Sequence, residues 1–307
     1  MRNKGTQYLI PFGIKYCVPL FLILLTSLAY ADDNHPQTIE DLNRAIAISP
    51  DSADAYYDRA ILWEKQGNLP KAILDFTQAI SINPEDTGAY YGRGNAYAQQ
   101  HNFTQAISDF NKVIGLTPGE ASVYYNRGLV FANQGNIVQS ISDFTQAILI
   151  DPEYVEAYHN RGLSWEKIGH MAQALADLSK SIELDPTVAQ AYYNRGTCYE
   201  KLGKYIDAIN DFSKAIQLNP YYAECYTNRG EVYVQLDDLT EARYDFSKAI
   251  DINPKIAQAY NNRAIVYYQL AQYTKAWDDL QKAVALGYVV DPGLMGTVKK
   301  ELDKKQI

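Results

Sequence analysis

Apolar, small and breaker positions along the chain fall on a ruler of 34 residues. Pro50, Pro84, Pro118, Pro152, Pro186, Pro220 and Pro254 are each 34 apart, and five of the seven follow Asn or Asp, a pairing that ends one helix before the next begins. Half a repeat along stand Gly67, Gly135, Gly169 and Gly203, where a helix C-terminus favours a residue tolerant of positive φ. With Ala53 as position 1, small residues recur at position 8 (Ala60, Gly94, Gly128, Gly162, Gly196, Gly230, Ala264) and position 20 (Ala72, Ala106, Ser140, Ala174, Ala208, Ala242, Ala276). Large apolar residues recur at position 11, from Trp63 to Tyr267, and position 24, from Phe76 to Leu280, with Ile or Val at position 28. Positions 20, 24 and 28 share one helical face, so each repeat reads as two helices brought close by small residues.

The period covers residues 53–290 in seven units: 53–86, 87–120, 121–154, 155–188, 189–222, 223–256 and 257–290. Residues 38–52 read as a lone second helix, with Leu42, Ala45 and Ile46 at positions 24, 27 and 28. Residues 291–307 carry Leu294, Val298 and Leu302 on one stripe with lysines outside. These segments are expected to cap the stack, giving sixteen helices in all. Tyr288 replaces the last proline, and His101, Asp237 and Ala271 replace the mid-repeat glycine, so altered turns are expected in units two, six and seven.

Residues 1–31 depart from the ruler. Arg2, Lys4 and Lys15 precede or flank an apolar run from Cys17 to Leu28, and Ala29-Tyr30-Ala31 stands before Asp32. This is the n-region, h-region and small-residue cleavage pattern of a secretory signal peptide, and the run is short of the ~20 residues that span a membrane. The expectation is an exported chain, periplasmic or secreted, with no membrane association after cleavage.

At this point the residues resemble the tetratricopeptide repeat family. The resemblance implies an all-α, right-handed α-α superhelix, a solenoid of helix-turn-helix repeats with capping helices at both ends. It also implies that first-helix positions 2, 5, 6, 9, 12 and 13 face a concave groove that binds proteins. Position 6 holds Asn126, Asn160, Asn194, Asn228 and Asn262 in five successive units, after Asp58 and Gly92; position 5 supplies Tyr57, Tyr91, Tyr125, His159 and Tyr193. A carboxamide both donates and accepts, so a ladder of them can hold a peptide main chain whatever its side chains. The peptide-binding candidates are accordingly the five asparagines with Tyr91, Tyr125, His159 and Tyr193.

Groove acids Asp54, Asp58, Glu64, Glu156, Glu166, Glu200, Glu224 and Glu231 outnumber Lys65, Lys167 and Lys201, which favours a neutral to basic extended segment as partner. Heat-shock co-chaperones of the family clamp a carboxylate with lysines at positions 2 and 5; neither position holds one here. Self-association into an envelope scaffold, or capture of host proteins by a secreted effector, are the alternative uses of such a stack.

Two charges recur in every unit. Arg59, Arg93, Arg127, Arg161, Arg195, Arg229 and Arg263 occupy position 7, and Asp75, Asp109, Asp143, Asp177, Asp211, Asp245 and Asp279 position 23, with Asp41 at position 23 of the lone helix. Because Asp41 precedes Arg59 by the 18 residues that separate Asp75 from Arg93, each Asp is expected to pair with the Arg of the following unit and set stacking register.

Charge and chemistry narrow the function. The whole chain carries −8, and loss of the leader leaves 25 Lys+Arg against 36 Asp+Glu, a balance that disfavours nucleic acid. Four histidines lack metal-ligand spacing, and there is no Cys-x-x-Cys, phosphate-binding glycine loop or nucleophile elbow. No metal, no cofactor and no catalytic residue is therefore expected, and the reading is a non-enzymatic protein-interaction scaffold. After leader removal Cys198 and Cys225 remain, on adjacent first helices, either bridged or free.

Overall fold

The computed structural model describes residues 38–304, and residues 1–37, where the expected leader falls, and 305–307 lie outside them. The described residues are all-helical and divide into two compact units, one ending at His170 and the other beginning at Met171. The first holds α1 (Ile39–Ile48), α2 (Ala53–Lys65), α3 (Leu69–Ile82), α4 (Thr87–Gln99), α5 (Phe103–Leu116), α6 (Ala121–Asn133), α7 (Ile137–Ile150) and α8 (Val155–Lys167). The second holds α9 (Met171–Leu184), α10 (Ala189–Lys201), α11 (Tyr205–Leu218), α12 (Ala223–Gln235), α13 (Leu239–Ile252), α14 (Ala257–Gln269), α15 (Tyr273–Ala285) and α16 (Pro292–Lys304). Within each unit every helix packs on the next in sequence, as tandem helix-turn-helix repeats require.

The small and large positions of the ruler meet in the core. Phe76, Phe110, Phe144, Phe212 and Phe246, with Leu42, Leu178 and Leu280 at the same position, are fully buried. A Cβ on Gly128 would lie 2.8 Å from the Phe144 ring, closer than atoms pack, so the glycine lets the phenylalanine lie against the first-helix backbone. That contact buries an aromatic ring without opening a void.

First helices end in one way throughout. In the third repeat Gly135 takes φ 81°, and the Asn136 amide donates to the Phe131 carbonyl at 2.8 Å, closing a Schellman turn. His101, Asp237 and Ala271 adopt the same left-handed conformation at φ 59°, 62° and 55°, and the following amides make the equivalent bonds. The altered turns expected in units two, six and seven are therefore absent. Helix packing on both sides fixes the turn, and a side chain there is tolerated at a conformational cost.

Among the described residues no helix is long and apolar enough to cross a membrane, and no group of three or more His, Cys, Asp or Glu side chains is placed to hold a metal.

Candidate functional site

The first helices carry two recurring side-chain assemblies, one built on position 7 and one on positions 5 and 6. In each repeat that lies whole within one unit, the arginine at position 7 forms a bidentate pair with the aspartate of its own repeat. Arg59 donates through Nε and Nη2 to the Asp75 carboxylate at 2.7 and 2.8 Å. Arg93 with Asp109, Arg127 with Asp143, Arg195 with Asp211, Arg229 with Asp245 and Arg263 with Asp279 repeat this geometry at 2.7 to 2.9 Å.

This corrects the sequence expectation of pairing between units. Asp41 does not meet Arg59; it accepts from Thr38 and from Arg44 of its own helix, both at 2.6 Å. The 16-residue and 18-residue separations are equally regular in the sequence, and the hairpin decides between them by setting the two helices of one repeat face to face. The fork-to-carboxylate geometry is the strong form of such a bond, and each guanidinium also lies over the position 4 tyrosine, 5.4 Å from the Tyr56 ring in the first repeat.

The link between repeats runs through the remaining guanidinium nitrogen. Nη1 of Arg59, Arg93, Arg127 and Arg161 donates to Asn43, Thr77, Asn111 and Thr145, and Nη1 of Arg195, Arg229 and Arg263 donates to Ser179, Ser213 and Ser247. Every acceptor stands at position 25 of the preceding repeat. Sequence reasoning missed it, although the run Asn, Thr, Asn, Thr, Ser, Ser, Ser in a column of short polar acceptors was there to be found.

The asparagines of position 6 face their own neighbours. Asn126 donates to the Tyr91 hydroxyl at 2.7 Å and to Asn95 at 3.1 Å; Asn160 donates to Tyr125 at 2.9 Å; Asn228 donates to Tyr193 at 2.9 Å. Each rung joins position 6 to position 5 one repeat earlier. Asn262 finds Thr227 at that earlier position and donates instead to Glu231 at 2.9 Å, where Gln258 also donates. Asn194 accepts from Gln190 at 3.2 Å. Asn160, Asn194, Asn228 and Asn262 are buried and Asn126 is half-buried.

These are not a row of free carboxamides waiting for a peptide. They are struts whose partner rings are braced from below, with Tyr91, Tyr125 and Tyr193 lying 6.0, 5.7 and 5.9 Å from the position 24 phenylalanine of their own repeat. Burial pushes the phenols of Tyr125 and Tyr193 above their usual range, which keeps them protonated. Burial likewise lowers His159 to about 4, so its ring is neutral at ordinary pH.

What stays accessible on the first-helix faces differs between the units. In the first, Asp54, Glu156, Lys65, Asn133 and Lys167 are exposed, with Asp58, Glu64, Tyr57, Tyr91 and Ile61 half-buried. Glu64 accepts from Gln99 at 3.2 Å, and burial raises its carboxyl. In the second, Glu224 and Lys201 are exposed, Gln190 and Gln258 half-buried, and Glu200 and Glu231 buried. The exposed charges of the first unit balance, Asp54 and Glu156 against Lys65 and Lys167, and its acidic excess lies in the half-buried Asp58, Glu64 and Glu166. Cys198 and Cys225 are buried and not joined in a disulfide, and Cys225 donates to the Phe212 carbonyl at 3.3 Å.

Models described as tetratricopeptide repeat match residues 25–93, 121–154, 155–188 and 189–222, and one described as TPR repeat matches 94–135 and 230–271. Three solved structures are similar. A tetratricopeptide repeat protein from Parabacteroides merdae is 18% identical with TM-score 0.61 over 81% of this chain and 98% of its own. MamA is 28% identical with TM-score 0.50 over 52% and 94%. YrrB, a TPR protein with an unusual peptide-binding site, is 23% identical with TM-score 0.53 over 61% and 97%. Among curated proteins the comparison finds no match.

Proposed function

We propose, from the premise that this chain belongs to the tetratricopeptide repeat family, that its first-helix faces hold an extended, neutral to basic segment of a protein partner. At the coarser level the chain is a protein-interaction scaffold. The observation that carries the finer reading is the division of labour on these helices. Positions 5, 6 and 7 are consumed in holding the stack, while positions 2 and 13 return every 34 residues with exposed Asp54 and Glu156, and Lys65, Asn133 and Lys167, in the first unit. A surface that returns at a fixed interval within a unit suits a segment that is itself extended.

Ligand contact is thereby assigned to positions 2 and 13 with the half-buried rings of Tyr57 and Tyr91, and not to the asparagines. The half-buried Asp58, Glu64 and Glu166, added to exposed charges that balance, favour a basic segment in the first unit by charge complementarity. The exposed Glu224, the glutamines and Lys201 of the second favour a neutral, amide-bearing one. Export is part of the same proposal and rests on the leader pattern of residues 1–31; mass measurement of the chain recovered outside the cytoplasm should give an N-terminus at Asp32.

Selection of peptides from a random extended library on the purified chain tests the reading. Basic and neutral sequences should be enriched, and Asp54→Lys with Glu156→Lys should weaken them at least tenfold with helicity unchanged. Enrichment of acidic sequences, or binding that ignores both changes, contradicts it.

A second reading has its own observation. Leu74, Val138, Ile206 and Tyr244 on second helices are 69, 69, 65 and 51% exposed, and such residues serve a scaffold that associates through its outer faces.

A further inference from the structure

Among the described residues the helix α1 is a second helix without a first. It keeps the register of a repeat, since Asn43 at its position 25 accepts from Arg59 at 2.7 Å as the position 25 side chains of complete repeats do. Among the described residues no helix packs on its other face. In complete repeats position 20 is a small buried residue, position 23 an aspartate buried against its own arginine, position 27 a small or β-branched buried residue, and position 30 an Ile or Leu mostly half-covered.

In α1 those places hold Thr38, which is exposed, Asp41, half-exposed, Ala45, half-buried, and Ile48, 85% exposed. The Asp41 side chain is 39% exposed, against 0 to 10% for the position 23 aspartates paired with arginine. The four residues are spaced i, i+3, i+7 and i+10, a single stripe of one helix.

We infer that this stripe receives a helix from a partner protein, one that presents an arginine followed by a small residue. The rest of the chain states the chemistry. Wherever the repeat is complete in the same unit, the position 23 carboxylate takes a bidentate guanidinium, with an aromatic three residues before the arginine stacked on it and Gly or Ala immediately after. The Tyr124, Arg127 and Gly128 set of α6 is one instance. The bonds from Thr38 and Arg44 that hold Asp41 now are local and solvent-reachable, so a guanidinium can exchange for them. Leu42 below is the smaller occupant of position 24, as are Leu178 and Leu280, whose repeats carry Gly162 and Ala264 at position 8. The surface is separate from the first-helix faces, and the inference stands or falls independently of the groove.

The probe is a helix-stabilised peptide with the sequence of residues 121–133, titrated by fluorescence anisotropy into the protein as isolated from cells. Saturable binding is expected, with Asp41→Asn in the protein or Arg127→Gln in the peptide each lowering affinity at least about tenfold, and both together no more than either. Ile48→Glu gives an independent variant that leaves the Asp41 cap intact, and it should also weaken binding. Binding indifferent to all three changes overturns the inference. So does an absence of binding, which would mean that the residues preceding Thr38 cover the stripe. A mass that rises with concentration and falls back on Asp41→Asn would make a second copy the occupant and equally overturn it.

Discussion

At the scale of single residues, the asparagine at position 6 is a strut, and its removal has a definite cost. Asn228→Ala leaves the buried Tyr193 hydroxyl without its donor, which should lower stability by about 1–3 kcal/mol. Adding Tyr193→Phe should recover part of the loss, a coupling measurable by chemical denaturation of the four chains of a double-mutant cycle. The recurrence of these asparagines was legible in the sequence, whereas their burial was not. What buries Asn228 is a tyrosine 35 residues earlier on a neighbouring helix, and a single column cannot reveal its partner column. The aspartates misled for a related reason, because strict repetition makes every Asp equally regular with respect to the arginine before it and the one after it.

His159 gives a pH signature at the same scale. Burial holds its folded pKa near 4, below the unfolded value of about 6.5, so the unfolded chain takes up a proton first as pH falls. The contribution is constant above about pH 6.5, and stability is lost progressively between 6.5 and 4, by as much as about 3 kcal/mol. Buried Asp245 and half-buried Glu64, with carboxyls raised by desolvation, work in the opposite sense at the acid end. The test is therefore a difference: the gap in melting temperature between the protein and its His159→Gln variant should change steadily across that window and stay level above it.

At the scale of elements, small residues and breakers identified the helix pairs in the sequence because they act locally. Pro and Asn or Asp end one helix, and a small residue at position 8 admits the ring at position 24. The turn after each first helix was read less well. Glycine looked necessary there, yet Ala271 holds φ 55° because α14 and α15 pack on either side of it. Strain at that point predicts that Ala271→Gly raises stability by about 1 kcal/mol, detectable as a higher denaturant midpoint with unchanged slope. The cross-repeat bond from arginine to position 25 predicts the reverse sign. Ser247→Ala removes the acceptor of Arg263 Nη1, 3.1 Å away, and should cost about 1 kcal/mol while leaving the Asp279 pair intact.

At the scale of the whole molecule, the repeats spend their most regular side chains on one another and present less regular ones to solvent. Stability then resides in nearest-neighbour contacts, and specificity in positions that vary from repeat to repeat. Charge counting along the sequence captured the acidic character of the first unit but not the burial of Glu200 and Glu231 in the second, where Asn262 and Gln258 bond to Glu231. A photo-crosslinking residue installed singly at exposed positions separates the two faces: Lys65, Asn133 and Lys201 on first helices, and Leu74, Val138 and Ile206 on second helices. The partner segment should be captured from the first set and not from the second. Capture confined to Leu74, Val138 and Ile206 would contradict it.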